Sequence, residues 1–202
     1  MNEFHTKGPV RDAPVSAGTA PRAPDSSPSD TLLAHALMRL SALEAEHAIR
    51  QTMSRYMALC DVPARRLPGE TLAALFTQDS VWEGVGSHYA SKFGKLVGTD
   101  DILAMLTRYL PPTPHFTSNT HFLSSETIEI AADASRATGR WIMLQASCYV
   151  AGHAELIAAR LEVDFAPSPS AADPGKGPRA WLIRHFRTER LFDAPWQLNP
   201  RT

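Results

Sequence analysis

The chain lacks the features that would place it in several broad classes of protein. It has only two cysteines, Cys60 and Cys148, which lie far apart and form no CxxC pair, so they indicate reduced thiols rather than a disulfide framework. No run of eighteen apolar residues is present, and the N-terminus has no apolar core of the signal-peptide kind. Lysine plus arginine (20) nearly equals aspartate plus glutamate (21), which argues against a nucleic-acid surface. We therefore expect a cytoplasmic protein that binds neither membranes nor nucleic acid.

The composition predicts one globular domain with short tails. An apolar fraction of 44% over 202 residues is sufficient for a sizeable core. Residues 1–30 hold five of the sixteen prolines together with scattered Ser, Gly and Ala. Such a segment cannot bury enough apolar surface to offset its ordering entropy, so we expect a disordered tail. The domain is then predicted for residues 31–196, followed by a C-terminal tail at residues 197–202.

The first half of the domain is predicted to be mainly helical. Apolar residues recur at spacings of three and four from Leu32 onwards, which predicts a long helix. This helix should end near Asp61, because Pro63 disfavours helical geometry at the residue before it.

A second helix is predicted from Glu70 to Phe76. It is followed by a turn at residues 78–80 and a first strand at residues 81–83. Residues 84–98 are rich in Gly, Ser and Lys and predict a loop or an irregular hairpin, in which Lys92 and Lys95 have no assigned role. Thr99 is expected to cap a third helix.

From residue 115 the apolar period is two, which predicts strands. Four strands are expected, at residues 115–131, 137–150, 154–165 and 181–191, with a mobile Pro/Ser/Gly loop at residues 166–179. Three helices followed by an antiparallel meander predict an α+β domain. We expect a curved antiparallel sheet of about four to six strands, closed into a cone by the three N-terminal helices.

The start of the first long strand carries the strongest candidate for chemistry. His115, Thr117, Asn119 and His121 lie at spacing two, so in a strand all four point to one face. Two imidazoles and a carboxamide on one sheet face are typical of a catalytic pocket, or of the polar surface of a one-sided sheet. No phosphate-binding glycine loop and no metal-ligand motif such as HExxH is present, and no metal or cofactor is expected.

Several motifs resemble the SnoaL-like branch of the nuclear transport factor 2-like fold. The likeness covers residues 40–195 and rests on the order of AIRQTMSRYMALCD, LAALFTQDSVWEG, GTDDI, PHFTSN and a final Trp-x-Ile strand. It implies a cone formed by a curved sheet and three helices. Members of the family are dehydratases, isomerases, polyketide cyclases, dehydrochlorinases and binding proteins, so the fold alone does not fix the reaction.

The motifs are most similar to the scytalone dehydratase and bile-acid 7α-dehydratase group. That resemblance implies that Tyr56, Asp61 and His115 carry acid–base chemistry and that Asn119 is a polar pocket residue. His115 would be the base, Asp61 its orienting partner and Tyr56 the acid or the donor to an oxyanion. Five residues separate Tyr56 from Asp61, which is roughly 140° on a regular helix. Both can reach one pocket only if the helix has ended by Asp61.

Further pocket residues follow from strand alternation and from the resemblance. The candidates for substrate contact are Trp82, Asn119, His121, Tyr149 and Arg187. An arginine from the last strand often assists in the family, which here leaves Arg184 or Arg187. If Trp181 and Ile183 face the core, alternation places Arg187 on the same side and Arg184 outside.

The leading functional hypothesis is a cofactor-independent lyase (dehydratase) or isomerase. It would act on a small hydrophobic ring-bearing metabolite such as a steroid, a polyketide or an aromatic compound, because the predicted cavity is apolar with few polar groups. One alternative is a non-catalytic small-molecule-binding or assembly protein with the same cone. Another is a protein like the small subunit of a ring-hydroxylating dioxygenase. Sheet faces left uncovered by helices predict a homodimer or a higher homo-oligomer.

Overall fold

The computed structural model describes Met1 and residues 27–64, 69–169 and 179–197. Most of the predicted N-terminal tail, most of the 166–179 loop and nearly all of the C-terminal tail lie outside these ranges. No helix in the described ranges is both long enough and apolar enough to cross a membrane.

Helix α1 spans Pro28–Cys60 and begins with a capping box. The Ser27 hydroxyl accepts the Asp30 amide, and the Asp30 carboxylate accepts the Ser27 amide, so two of the free N–H groups at the helix start are satisfied. The first half of the helix is exposed, and burial begins at Ala45. The helix therefore packs on the domain only through its second half.

The sheet has six strands, with the order β2-β1-β6-β5-β4-β3. In chain order the strands are β1 (Phe76–Val85), β2 (Lys95–Val97), β3 (Phe116–Ile130), β4 (Ala137–Tyr149), β5 (Ala154–Pro167) and β6 (Trp181–Pro195). The predicted β3–β6 meander is confirmed, and β1 adds to it by pairing parallel with β6. The sheet is therefore mixed rather than wholly antiparallel, and it is open, because its terminal strands β2 and β3 do not pair with each other.

The segment between α1 and β3 differs from the sequence prediction. The expected second helix is a single 3-10 turn, Leu72–Leu75, and β1 already begins at Phe76 and runs through the expected turn. The expected loop at 84–98 contains helix α2 (Gly86–Phe93) and strand β2. Helix α3 (Thr99–Leu106) forms as predicted, but Thr99 is its first residue and donates its hydroxyl to Thr77 O instead of capping the helix.

Three helices pack on one face of the curved sheet, which is the number expected, but α2 takes the place of the predicted second helix. The buried side chains of α1, α2 and α3 join those of the sheet in one apolar cluster, which includes Met53, Tyr89, Ile102, Trp141, Leu161 and Ile183. The opposite face carries a ladder of charges, in which Glu162 accepts from Arg140 and Arg187. The concave face is thus the side on which a cavity can form.

Candidate active site

A cavity of about 140 Å³ opens on the concave face between the helices and the sheet. Most of its lining is aromatic or aliphatic, including Met57, Phe93, Leu106, Met143, Leu161 and Phe186. The polar lining groups are Tyr56, Cys60, Trp82, Tyr89, Lys92, Tyr109, His115, Asn119, His121, Gln145, Tyr149 and Thr188. An apolar wall combined with convergent polar groups is typical of small-molecule sites.

A short backbone bridge fixes the end of α1 against β3. Val62 and Asn119 exchange both of their backbone hydrogen bonds, each at 2.8 Å. The helix has ended at Cys60, and Asp61 is extended, with φ −70° and ψ 153°. The separation of roughly 140° that a regular helix would impose on Tyr56 and Asp61 therefore does not hold, because Asp61 lies beyond the helix. As a result Asp61 is held beside the strand that carries the candidate histidines.

Asp61 pairs with His121, not with His115. One carboxylate oxygen, Oδ1, accepts the His121 Nδ1 at 2.8 Å and the His121 backbone N–H at 3.0 Å. With Nδ1 protonated and bound to Asp61, Nε2 is the nitrogen of this ring that can accept a proton, and His121 lines the cavity. A carboxylate that orients a neutral imidazole and stabilises its charged form is the arrangement a general base requires.

His115 lies at another part of the lining, among aromatic rings. Its ring centroid is 5.0 Å from that of Tyr109 and 5.5 Å from that of Tyr149. Burial and the nearby charge of Lys92 both lower the pKa of His115. His115 is therefore held neutral at the cavity wall, without the carboxylate partner that the sequence analysis assigned to it.

Tyr56 is buried at the base of the cavity. Its hydroxyl oxygen accepts the Trp82 indole N–H at 3.2 Å, and its ring packs against Phe186 at 5.0 Å. Burial and the neighbouring Cys60 hold the pKa of Tyr56 well above its usual value, and burial raises the pKa of Cys60 to about 12. Both groups are therefore neutral, and Tyr56 suits hydrogen-bond donation better than release of its proton.

Asn119 lines the cavity and is also part of a buried polar network. Its side-chain oxygen accepts from Gln145 Nε2 at 2.9 Å and from Ser147 Oγ at 2.8 Å. Asn119 is only 2% exposed. The network fixes the position of β3 against β4 at the point where His121 enters the cavity.

Arg187 lies outside the cavity, contrary to the sequence prediction. It donates to Glu162 at 3.1 Å and to Asp164 at 2.9 Å on the outer face of the sheet. The cause is an irregular register, in which Phe165 pairs with Ile183 and Asp164 with His185, so that Arg184 is an extra residue in β6. This bulge reverses the alternation after Ile183, because one inserted residue moves every later side chain to the other face. Arg184 itself is exposed.

Of the eight predicted site residues, six line the cavity: Tyr56, Trp82, His115, Asn119, His121 and Tyr149. Asp61 stands behind His121. The residues that sequence reasoning left unassigned include Tyr89 and Lys92, both on α2, a helix that was interpreted as a loop. The spacing of four between the aromatic residues Tyr89 and Phe93 was the available signal of a helix.

The described part of the chain brings no group of three or more His, Cys, Asp or Glu side chains together as metal ligands would be.

The fold is shared with several solved structures. A hexachlorocyclohexane dehydrochlorinase, LinA type 2, is 18% identical, with a TM-score of 0.61 over 79% of this chain and 93% of its own. A Novosphingobium aromaticivorans protein assigned as a scytalone dehydratase is 17% identical, with a TM-score of 0.59 over 79% and 92%. ActVI-ORFA from Streptomyces coelicolor is 12% identical, with a TM-score of 0.53 over 72% and 96%. Similarity at this level shows the fold alone.

No curated protein matches the chain significantly. A family model, the SnoaL-like domain, matches residues 41–187, which is well over half of the chain. The match covers the second half of α1, the helices α2 and α3, and the sheet as far as Arg187 of β6. The chain therefore belongs to the SnoaL-like domain family.

Proposed function

We propose that this chain is an acid–base enzyme of the lyase or isomerase kind, which removes a proton from carbon in a small ring-bearing molecule. The observation that carries the proposal is the double contact of Asp61 with His121, whose ring lines the cavity. His121 replaces His115 as the proposed base, because His121 has the carboxylate partner.

The proposed elimination is a dehydration next to a carbonyl group. Nε2 of His121 accepts the proton from the carbon beside the carbonyl, and the electron pair of that C–H bond becomes the new C=C bond. The C–O bond to the hydroxyl group breaks, and the leaving oxygen takes the proton that His121 Nε2 has accepted and departs as water, which returns the imidazole to its neutral form. Asp61 stabilises the imidazolium formed in the first step. In an isomerisation His121 would return the same proton to another carbon.

The buried phenol of Tyr56 is proposed to donate a hydrogen bond to the oxygen on which negative charge develops. Its oxygen already accepts from Trp82, and its own proton, which neighbours the Cys60 sulfur, would turn to the substrate oxygen when the ligand binds. A preorganised donor of this kind lowers the barrier because it needs no rearrangement as the charge forms. The apolar lining would hold the ring of the substrate.

The test uses ring-bearing β-hydroxyketones, whose dehydration gives an absorbing enone. We expect turnover by the wild-type chain and a fall of about 10²-fold for Asp61→Asn, which keeps the hydrogen bond but loses the charge. Binding of the same ketones, measured by calorimetry, should change little. The contrary result is that the ketones bind but are not turned over, and that their α-protons do not exchange in D₂O in the presence of the protein. It would contradict the enzyme proposal and favour a non-catalytic binding protein.

A further inference from the structure

Lys92 is the charged residue of the cavity that the proposed reaction does not use. It lies in the last turn of α2 and lines the cavity. No aspartate or glutamate is present in the lining formed by the described residues, and apart from the two histidines Lys92 is its one ionisable cation. A substrate that enters the cavity therefore meets a positive charge and no negative one.

The ammonium group of Lys92 is held by aromatic rings rather than by a carboxylate. Its Nζ lies 5.0 Å from the ring centroid of Phe93 and 5.9 Å from that of Tyr109. Burial, followed by the nearby charge of Arg190, lowers the pKa of Lys92. An ammonium group that has lost part of its hydration and lies against aromatic rings is still stabilised further when an anionic ligand binds to it.

The nearest acid is already engaged elsewhere. Glu155 Oε2 accepts the hydroxyl of Tyr149 at 3.0 Å and lies 3.8 Å from Arg190 Nη2. Arg190 in turn pairs with Asp193 at 3.1 Å. Glu155 and Arg190 therefore act on Lys92 with opposite effects, while their own close contacts are with Tyr149, with Asp193 and with each other.

We propose that the natural ligand is a ring-bearing carboxylate, and that Lys92 is the specificity-determining residue that binds its carboxylate group at the mouth of the cavity. The proposal rests on the proposed function only in placing the ligand in this cavity. The ring would lie against the aromatic lining farther in. The alternative is that Lys92 only covers the rim with its aliphatic stem, as exposed lysines often do.

The experiment compares carboxylates with their uncharged amides, by isothermal titration calorimetry with the full chain. The probes are 2-naphthoate with 2-naphthamide, and 4-phenylbutanoate with 4-phenylbutanamide. We expect at least one carboxylate to bind about tenfold or more tighter than its amide, as a charge-assisted contact allows. Lys92→Gln should reduce that preference to about twofold or less without weakening the amide, whereas Lys92→Arg should retain most of it.

Lys95 offers a matched control from the same stretch of sequence. It is an exposed residue of β2 and does not line the cavity. Lys95→Gln makes the same change in net charge and should leave the carboxylate preference intact. His121→Gln should also leave it intact while abolishing any turnover, which separates this proposal from the proposed reaction.

Three results would overturn the proposal. The first is that no carboxylate binds more tightly than its amide in the wild-type chain. The second is that the preference survives in Lys92→Gln. The third is that Lys95→Gln removes it equally, which would show that the overall charge and not Lys92 is responsible. A thermal melt of each variant checks its folding, and we expect little change for Lys92→Gln, because the side chain is exposed over much of its surface although its ammonium group lies against Phe93 and Tyr109.

Discussion

His115 and His121 lie six residues apart on or beside β3, yet their rings have different neighbours. His121 has a carboxylate behind it, and His115 has Tyr109, Tyr149 and the charge of Lys92. A base needs a group that stabilises its protonated form, whereas burial and a nearby cation both oppose protonation. The same residue type is therefore suited to proton transfer at one position and to lining the cavity at the other.

The Lys92→Gln variant should raise the pKa of His115. Burial is the larger cause of the lowered pKa and the Lys92 charge the smaller, so the variant should restore only part of the shift toward 6.5. The measurement is an NMR titration of the His115 ring protons. A pKa of His115 that is unchanged, or lower, in Lys92→Gln would contradict the placement of the ammonium group beside this ring.

The sequence alone was sufficient to assign some residues to the cavity and insufficient to identify the partners of others. Strand alternation and the family motifs pointed to Tyr56, Trp82 and Asn119 as pocket residues, and these three side chains line the cavity. The partner of Asp61 was not predictable, because it depends on which residue of β3 pairs with Val62 across the chain. Arg187 was misplaced because a bulge in β6 has no reliable mark in a single sequence.

Helix α2 is the element that sequence reasoning missed. It has only eight residues, and glycines stand at its start and just after its end, so its composition resembles that of a loop. Its packing instead depends on Gly84 of β1, where an added Cβ would lie 2.3 Å from the backbone oxygen of Tyr89. The long elements were easier to predict, because α1 and the β3–β6 meander have sustained periodicity.

Gly84→Ala should therefore destabilise the protein and displace α2. We expect a loss of about 1–3 kcal/mol in the free energy of unfolding, since the added methyl group meets rigid backbone rather than a flexible side chain. Ser87→Ala, an exposed change in α2 itself, is the control and should stay within about 0.5 kcal/mol. Denaturant unfolding of both variants measures the effect. Equal stabilities would contradict the close packing of α2 on β1.

In the described structure the first half of α1 extends from the domain with its apolar side chains uncovered. This half carries six exposed large apolar side chains: Leu32, Leu33, Leu37, Met38, Leu40 and Leu43. A helix that is isolated in water is only marginally stable, and apolar patches of this kind usually mark an interface. We therefore expect a second copy of the chain to cover this half of α1.

Light scattering after size-exclusion chromatography tests that expectation. The wild-type chain should be a dimer or a larger homo-oligomer, and the double variant Leu33→Glu, Leu40→Glu should have a smaller mass. Arg39→Glu, on the same exposed half of the helix, is the control and should keep the wild-type mass. A monomeric wild-type chain at micromolar concentration would be inconsistent with a second copy on this surface.

The pairing of Asp61 with His121 is the central feature of the proposed site, because it depends on the end of α1 and on the backbone bridge from Val62 to β3. The most direct measurement is kcat/KM for dehydration of one ring-bearing β-hydroxyketone by His121→Gln and by His115→Gln, with the folding of each variant checked by a thermal melt. We predict a loss of about 10²- to 10⁴-fold for His121→Gln and less than about tenfold for His115→Gln. The reverse order, or equal losses, would contradict His121 as the base.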